Sequence, residues 1–405
     1  MPIPDADARL MADERPVPMP DAPELLNNDP ESFAWGVLHD RTPKLINQIR
    51  DALPYEPRQR RALDELLDEI RSGTVQPLPA NAHDKAAWDR WGSGYYGLTW
   101  EDLPFLWSES YFYRRLLDAI DFFQPGPWFW VDPFEHLKTA ELQDPALEAD
   151  LVALDQGAQL PVEEQARAKL LASLWGNRAD LGFRVGMAPG SDHPEQEGLV
   201  ADDSATVWQA LEASAGSKVC LVADNAGREL LADLVLIDHL LDRGTAVEVV
   251  LHVKPQPYYV SDAVTADVVA CLRRLAATRG EANKIAQRLK EALADGRLGL
   301  HTHWFYCAPW SFHRMPTDLA HEFELVDLTI LKGDLNYRRL VGDRNWPTTT
   351  PFSETVGYFP GRVAALRTLK SDVVTGIDPD ALAVLDATNY AWRTNGTHGL
   401  VQLHL

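Results

Sequence analysis

The chain changes its hydrophobic rhythm near its middle. Between residue 31 and about residue 180, apolar side chains recur at spacings of three and four, as in RQRRALDELLDEI (58–70) and SYFYRRLLDAI (110–120). That is the period of helices that bury one face. Beyond about residue 200 short apolar runs take over. KVCLVA (218–223), AVEVVLHV (246–253), LVDLTIL (325–331) and VAALRTL (363–369) read as strands, and GLVQLHL (399–405) as a last edge strand. A helical pattern follows the first run as far as Asp242, before a Gly244 stop, and another covers 261–279. Strands alternating with helices of this length predict βαβ units. The expected fold is α/β: a mostly parallel sheet flanked by helices over 186–405, preceded by an all-helical N-terminal domain over 31–185. Residues 1–30, with seven prolines among small and acidic residues, read as a flexible arm.

At 405 residues, with 45% hydrophobic and 24% charged residues, the chain suits two or three globular domains. Its formal net charge of −22 argues against a nucleic-acid partner, which needs clustered Lys and Arg. An anionic small substrate stays compatible, because a few local cations can reverse the field. Cys220, Cys271 and Cys307 form an odd, widely spaced set that suggests neither a disulfide framework nor a zinc knuckle. The N-terminus has no apolar signal core, and no apolar run reaches the roughly 18 residues of a membrane span. A reducing, cytoplasmic setting without membrane attachment is expected. GSGYYG (92–97) fits a dinucleotide fingerprint by spacing, but an amphipathic helix rather than a strand leads into it, so it predicts a loop.

Ligands of open α/β sheets bind beyond the carboxyl ends of the strands. There the first strand presents Asp224 and Asn225, which on the blandest reading cap the next helix. The second presents Lys254 and, after the loop PQPYYV, Ser261 and Asp262; the third Lys332, Asp334, Asn336 and Arg338; the fourth Arg367 and Lys370. Caps explain each group separately but not their convergence on one edge. Carboxylates with an amide oxygen are hard ligands suited to Mg²⁺ or Mn²⁺. Arg, Lys and a helix N-terminus can neutralise phosphoryl oxygens, so the set points to phosphoryl transfer to water. Ser261 and Asp262 open the predicted helix, and one of them is expected to cap it. His301-Thr-His303, with Cys307 beyond, offers two imidazoles on one strand face. No fourth ligand lies nearby in sequence, which favours a half-buried strand or a pocket wall. No Gly-x-Ser-x-Gly elbow supports a triad hydrolase.

DNAGRELLADL, HVKPQPYYVSD, LKGDLNYRRLVGDRNW and LRTLK, together with SFAWGVLHDRTPKL, SESYFYRRLLDAI and SLWGNRADL, resemble the damage-control phosphatases. This is a metal-dependent family once catalogued as a domain of unknown function. Arg367-Thr-Leu-Lys370 is similar to the Arg-Thr-x-Lys motif of its sugar-phosphate branch, and the likeness runs from Ser32 to the end. The resemblance implies a helical domain packed on an α/β domain. It also implies a divalent metal (Mn²⁺ or Mg²⁺, with Co²⁺ or Ni²⁺ as alternatives) held by Asp224, Asn225 and Asp262. Asp334, Leu335, Asn336, Tyr337 and Arg338 would line the substrate, Lys370 would hold its phosphate, and Glu229 and Asn177 would also reach it. In this motif Arg338 is the functional arginine and Arg339 is expected to face solvent. Lys332 and Arg338 also admit a reading as ordinary surface charges.

The expected activity is a phosphomonoesterase acting on fructose 1-phosphate, fructose 6-phosphate or related sugar phosphates, with Asp224, Asp262 and Lys370 as its catalytic groups. Attack by metal-activated water or by the Asp224 carboxylate both stay open, although the chain lacks an Asp-x-Asp pattern at Asp224. Two alternatives are an S-adenosylmethionine-dependent protein carboxyl methyltransferase, an activity also attributed to this branch, and a non-catalytic sugar-phosphate binding module. The DNAGR loop, with one glycine, offers little to a methyl donor.

Overall fold

The computed structural model describes residues 15, 17–176, 198–213, 216–388 and 390–405. Its centre is a seven-stranded sheet of order β1-β7-β6-β5-β2-β3-β4. The strands are β1 (Leu199–Asp202), β2 (Ser217–Val222), β3 (Ala246–Val253), β4 (Leu298–Thr302), β5 (Leu328–Lys332), β6 (Val363–Thr368) and β7 (Gly399–His404). From β6 to β4 every neighbour is parallel; β7 runs antiparallel to β6 and carries β1 parallel beside it. The last strand is therefore interior rather than the expected edge. Its first four residues are buried, and short β1, which periodicity does not reveal, closes the sheet beyond it.

Alternation along the strands sorts side chains onto two faces. Val219, Leu221, Ala223, Ile330 and Leu366 enter one apolar cluster, and Cys220, Val222, Leu331, Val363 and Ala365 the other. A parallel sheet covered on both sides needs this near-continuous apolar sequence. The first cluster is closed by helices including Val162–Trp175, Arg228–Asp242, Thr265–Ala277 and Glu281–Asp295. The second takes in most aromatic residues of the first 135 positions, among them Trp88, Trp100, Trp107 and Tyr111. The helical patterns at 58–70 and 110–120 fold as Pro57–Ser72 and Phe105–Ala119, and 92–97 is a run of turns. Among the described residues no helix is long and apolar enough to cross a membrane.

Two local expectations fail. The helix read from residue 261 begins at Thr265, because residues 261–264, after a left-handed turn at Tyr259 and Val260 (φ 46° and 63°), bridge to Asn225 and Lys254. Neither Ser261 nor Asp262 caps it; the Val264 N–H donates to the Asp267 carboxylate instead. Arg339 does not face solvent. It is wholly buried, donating to the carbonyls of Trp310, Tyr306 and Phe305 at 2.8, 2.8 and 2.7 Å, with its guanidinium over the Phe305 ring. Arg339 thus serves three main-chain carbonyls of the short helical turns around 304–314, and that of Phe305 also accepts from the Ala308 N–H.

Leu221 is fully buried between sheet and helices, whereas Leu325 is 63% exposed. Leu221→Ala is expected to lower unfolding free energy by about 2–5 kcal/mol, and Leu325→Ala by no more than about 0.5 kcal/mol. Urea denaturation checks both; equal losses would contradict this assignment of the core.

Candidate active site

β2 delivers Ala223, Asp224 and Asn225 to the carboxyl edge of the sheet. The next helix, Arg228–Asp242, starts after Gly227 and takes no side-chain cap from either polar residue. The capping explanation for Asp224-Asn225 is thereby removed. Their backbone is instead paired with the 255–264 loop: Asn225 bridges Asp262, the Ala263 N–H donates to the Asp224 carbonyl at 2.8 Å, and the Ala226 N–H donates to the Ser261 carbonyl at 2.7 Å. That pairing sets Asp262 beside Asp224 although 38 positions separate them in the chain.

The loop is held from the N-terminal helices. Tyr258 donates to Ser110 Oγ at 2.7 Å, and the Tyr259 ring stacks on Tyr113 at 4.8 Å. Lys138 Nζ donates to the Asp262 carbonyl, the Asp132 carboxylate and the Asp267 carboxylate at 3.0, 3.0 and 2.9 Å. A β-branched residue such as Val260 is strained at positive φ, at a cost of about 1–3 kcal/mol that these contacts offset.

Asn225 is clamped on three sides. Its Nδ2 donates to Asp224 Oδ2 at 2.8 Å and to Glu229 Oε2 at 2.9 Å, while Oδ1 accepts from Ser261 Oγ at 2.5 Å and keeps a second lone pair. Glu229 is fixed in turn by Lys332, whose fully buried ammonium lies 3.1 Å from Glu229 Oε1 and 3.0 Å from Asp233 Oδ1, and donates to the Ser173 carbonyl. Lys332 is thus no surface charge. Asp224 rests against Gly333 at φ 81°, where any Cβ would collide with its carboxylate.

Electrostatics at this edge is unbalanced. Burial, then the Glu229 and Asp262 charges, pushes Asp224 well above the usual carboxylate range, with Lys254 and Lys370 pulling the other way. Burial also raises Asp262, against the opposing pull of Lys254. Lys254 Nζ lies 3.3 Å from Asp262 Oδ2 in poor alignment for a hydrogen bond, and among the described residues this buried oxygen has no other donor. Carboxylates that repel one another out of water, with an unsatisfied acceptor and an amide oxygen beside them, form a donor set that a hard divalent cation fits.

The remaining predicted residues occupy a supporting layer. Asp334 accepts from Arg367 Nε at 2.8 Å, from the Lys370 N–H at 3.1 Å and from Ser371 Oγ at 3.1 Å. Burial alone would raise its pKa, but Arg367 outweighs that and holds it below the usual value. Asn336 donates to the Ala223 and Lys332 carbonyls, tying β2 to β5, and among the described residues its Oδ1 has no partner. Leu335 and Tyr337 are buried, Tyr337 beneath the Arg367 guanidinium. Arg338 is buried between Glu109, at 2.8 Å, and Asp343, at 2.7 Å, and so is not a surface charge either. Lys370 is exposed; among the described residues no hydrogen bond or ion pair engages its ammonium, and its charge reaches Asp224 and Glu141. Asn177 lies outside the described residues.

Lys138 and Glu141 escaped sequence reasoning. Glu141 accepts from the Arg228 N–H at the start of the 228–242 helix, and Gly227 has room for no Cβ beside it. Their only trace in sequence is an i, i+3 spacing on the short helix Glu135–Gln143, which is indistinguishable from a solvated face.

Residues 37–382 match the Damage-control phosphatase ARMT1-like domain. Damage-control phosphatase ARMT1 of Danio rerio is 30% identical, with 92% of this chain and 94% of the relative covered. The proteins of the same name from Xenopus tropicalis and Homo sapiens are 30% and 27% identical, covering 92% and 93% of this chain and 96% and 97% of their own lengths. A solved structure of a DUF89 family protein from Pyrococcus horikoshii aligns over 91% of this chain and 96% of its own, at 15% identity and a TM-score of 0.47. With nearly the whole length matched, and with its Asp224-Asn225 turn closed on Asp262, the chain belongs to the damage-control phosphatase ARMT1-like family.

Proposed function

We propose that this phosphatase hydrolyses phosphomonoesters of small sugars, of the fructose 1-phosphate or fructose 6-phosphate type, and depends on a divalent metal, Mn²⁺ or Mg²⁺, held by Asp224, Asn225 and Asp262. One observation carries the reading: the turn that pairs Asn225 with Asp262 gathers buried, mutually repelling carboxylates, and among the described residues Asp262 Oδ2 has only the poorly aligned Lys254 ammonium, 3.3 Å away, to offset it. When bound, the metal supplies Lewis acidity toward a phosphoryl oxygen and lowers the pKa of water. The sugar-phosphate class is supported by Arg367-Thr-Leu-Lys370.

The chain's own groups divide the remaining work. Lys370 offers an exposed ammonium to the phosphoryl oxygens, on a loop whose backbone Asp334 and Arg367 hold in place. The helices beginning at Arg228 and Gly333 open at this edge, where the positive end of a helix favours an anion, although the Arg228 N–H already donates to Glu141. Glu229, pinned by Lys332, fixes the rotamer of Asn225 by accepting from Nδ2, which turns the amide oxygen away from Glu229.

Phosphate release from fructose 1-phosphate is expected to vanish in chelator, to return with Mn²⁺ or Mg²⁺, and to fall about 10²-fold or more in Asp224→Ala and Asp262→Ala. Release that ignores both chelator and Asp224→Ala would sink the proposal. Lys332→Met leaves Glu229 and Asp233 buried without their cation, so a loss of about 3–5 kcal/mol in stability is expected. Thermal unfolding tests this, and an unchanged midpoint would show that the buried network is not holding the site.

A further inference from the structure

A second cluster of ligating atoms stands on the same sheet and shares no residue with the Asp224 turn, although the His252 carbonyl accepts from the Ala223 N–H. The parallel register of β3 and β4 sets His252 directly beside His301. Their rings meet edge to face with centroids 4.8 Å apart. Glu322, on the helix Thr317–Glu324, reaches over both: its Oε2 is 2.8 Å from His301 Nδ1 and 3.7 Å from His252 Nε2. One ligand atom from each of the three residues lies within 4.8 Å of the other two.

We propose that His252, His301 and Glu322 form a binding site for a borderline transition-metal cation of the zinc class, separate from the oxygen-donor centre at Asp224. Two imidazole nitrogens and one carboxylate oxygen are a set that zinc accepts, with a fourth position left to water. His252 is buried and already oriented: its Nδ1 lies 2.6 Å from the Tyr306 hydroxyl. The tautomer in which Nδ1–H donates to Tyr306 leaves the Nε2 lone pair directed at Glu322, as an outer hydrogen bond does for a ligating histidine. The side chains of His301 and Glu322 are 37% and 36% exposed, which leaves an entry path and freedom for the small shifts that metal–ligand distances require. Only His301 belongs to the trio weighed from sequence. His303 lies beyond the end of β4, with its Nε2 3.4 Å from Asp318, and Cys307 is buried and is not one of the three ligands. The missing ligands come from residues 49 positions before and 21 after His301.

Cobalt substitution tests the site apart from the carboxylate centre. Chelator-stripped wild-type protein, Asp224→Ala, His301→Ala and Glu322→Gln are each titrated with Co²⁺ and then Zn²⁺, reading visible d–d bands and bound metal by mass spectrometry. Intense low-coordinate bands, displaced by Zn²⁺, are expected in wild type and in Asp224→Ala. His301→Ala should weaken that binding by about tenfold or more, and Glu322→Gln should lower it as well. Circular dichroism checks folding, and His301→Gln serves as a second variant if His301→Ala fails that check. Absence of the bands in wild type, or equal binding in wild type and the His301 variant, overturns the proposal. Bands that disappear in Asp224→Ala while persisting in His301→Ala overturn it too, because the metal is then held by the carboxylates alone.

Discussion

Keeping several carboxylates out of water at the end of a parallel sheet is the constraint around which this structure is arranged. Asp224, Asp262, Glu229 and Asp233 are all buried, and the Glu229 charge raises the cost of ionising the other three, as the Asp262 charge does for Asp224. Lys332 compensates Glu229 and Asp233, whereas Lys254 only partly compensates Asp262, and among the described residues no cation forms an ion pair with Asp224. A buried charge imbalance of this kind opposes folding unless something else holds the groups in place. Here the holding is done by packing: the strained Tyr259-Val260 turn sits on Tyr113 and Ser110, and Lys138 grips the Asp262 carbonyl.

This explains why the helical first half and the sheet share a core. The helix Phe105–Ala119 is buried almost all round, supplying Ser110 and Tyr113 to the loop and Glu109 to Arg338. Arg338 and Arg367 are fully engaged braces, and Asp334 restrains the backbone of the Lys370 loop. Mobile-looking polar segments such as DLNYR thus act as a rigid floor beneath the open edge. Among the described residues Lys370 keeps an unengaged ammonium, on a loop fixed from below.

Membership in the damage-control phosphatase ARMT1-like family fits this division between a rigid charged floor and a gathered acidic turn. Electrostatic preorganisation of this sort favours a charged ligand over water because the reorganisation was completed when the chain folded. The histidine pair on β3 and β4 stands outside that scheme but connects to it. Tyr306 touches His252 through its hydroxyl and lies under Lys254, the partner of Asp262.

Much of this was legible in the sequence. The apolar runs located β2, β3, β5 and β6, and the change of period separated helices from strands. The polar residues after each run marked the edge where Asp224, Asn225 and Asp262 come together, and motif resemblance singled those three out as the proposed metal ligands. Periodicity reports which positions are buried, so it could do this much. It could not report partners. The interior place of β7, the burial of Arg339 against three carbonyls, the bracing of Arg338 by Glu109 and the company of His252, His301 and Glu322 join residues tens to hundreds of positions apart. A charged side chain has the same local pattern whether it meets water or a buried partner, and only the folded chain supplies the partner that decides.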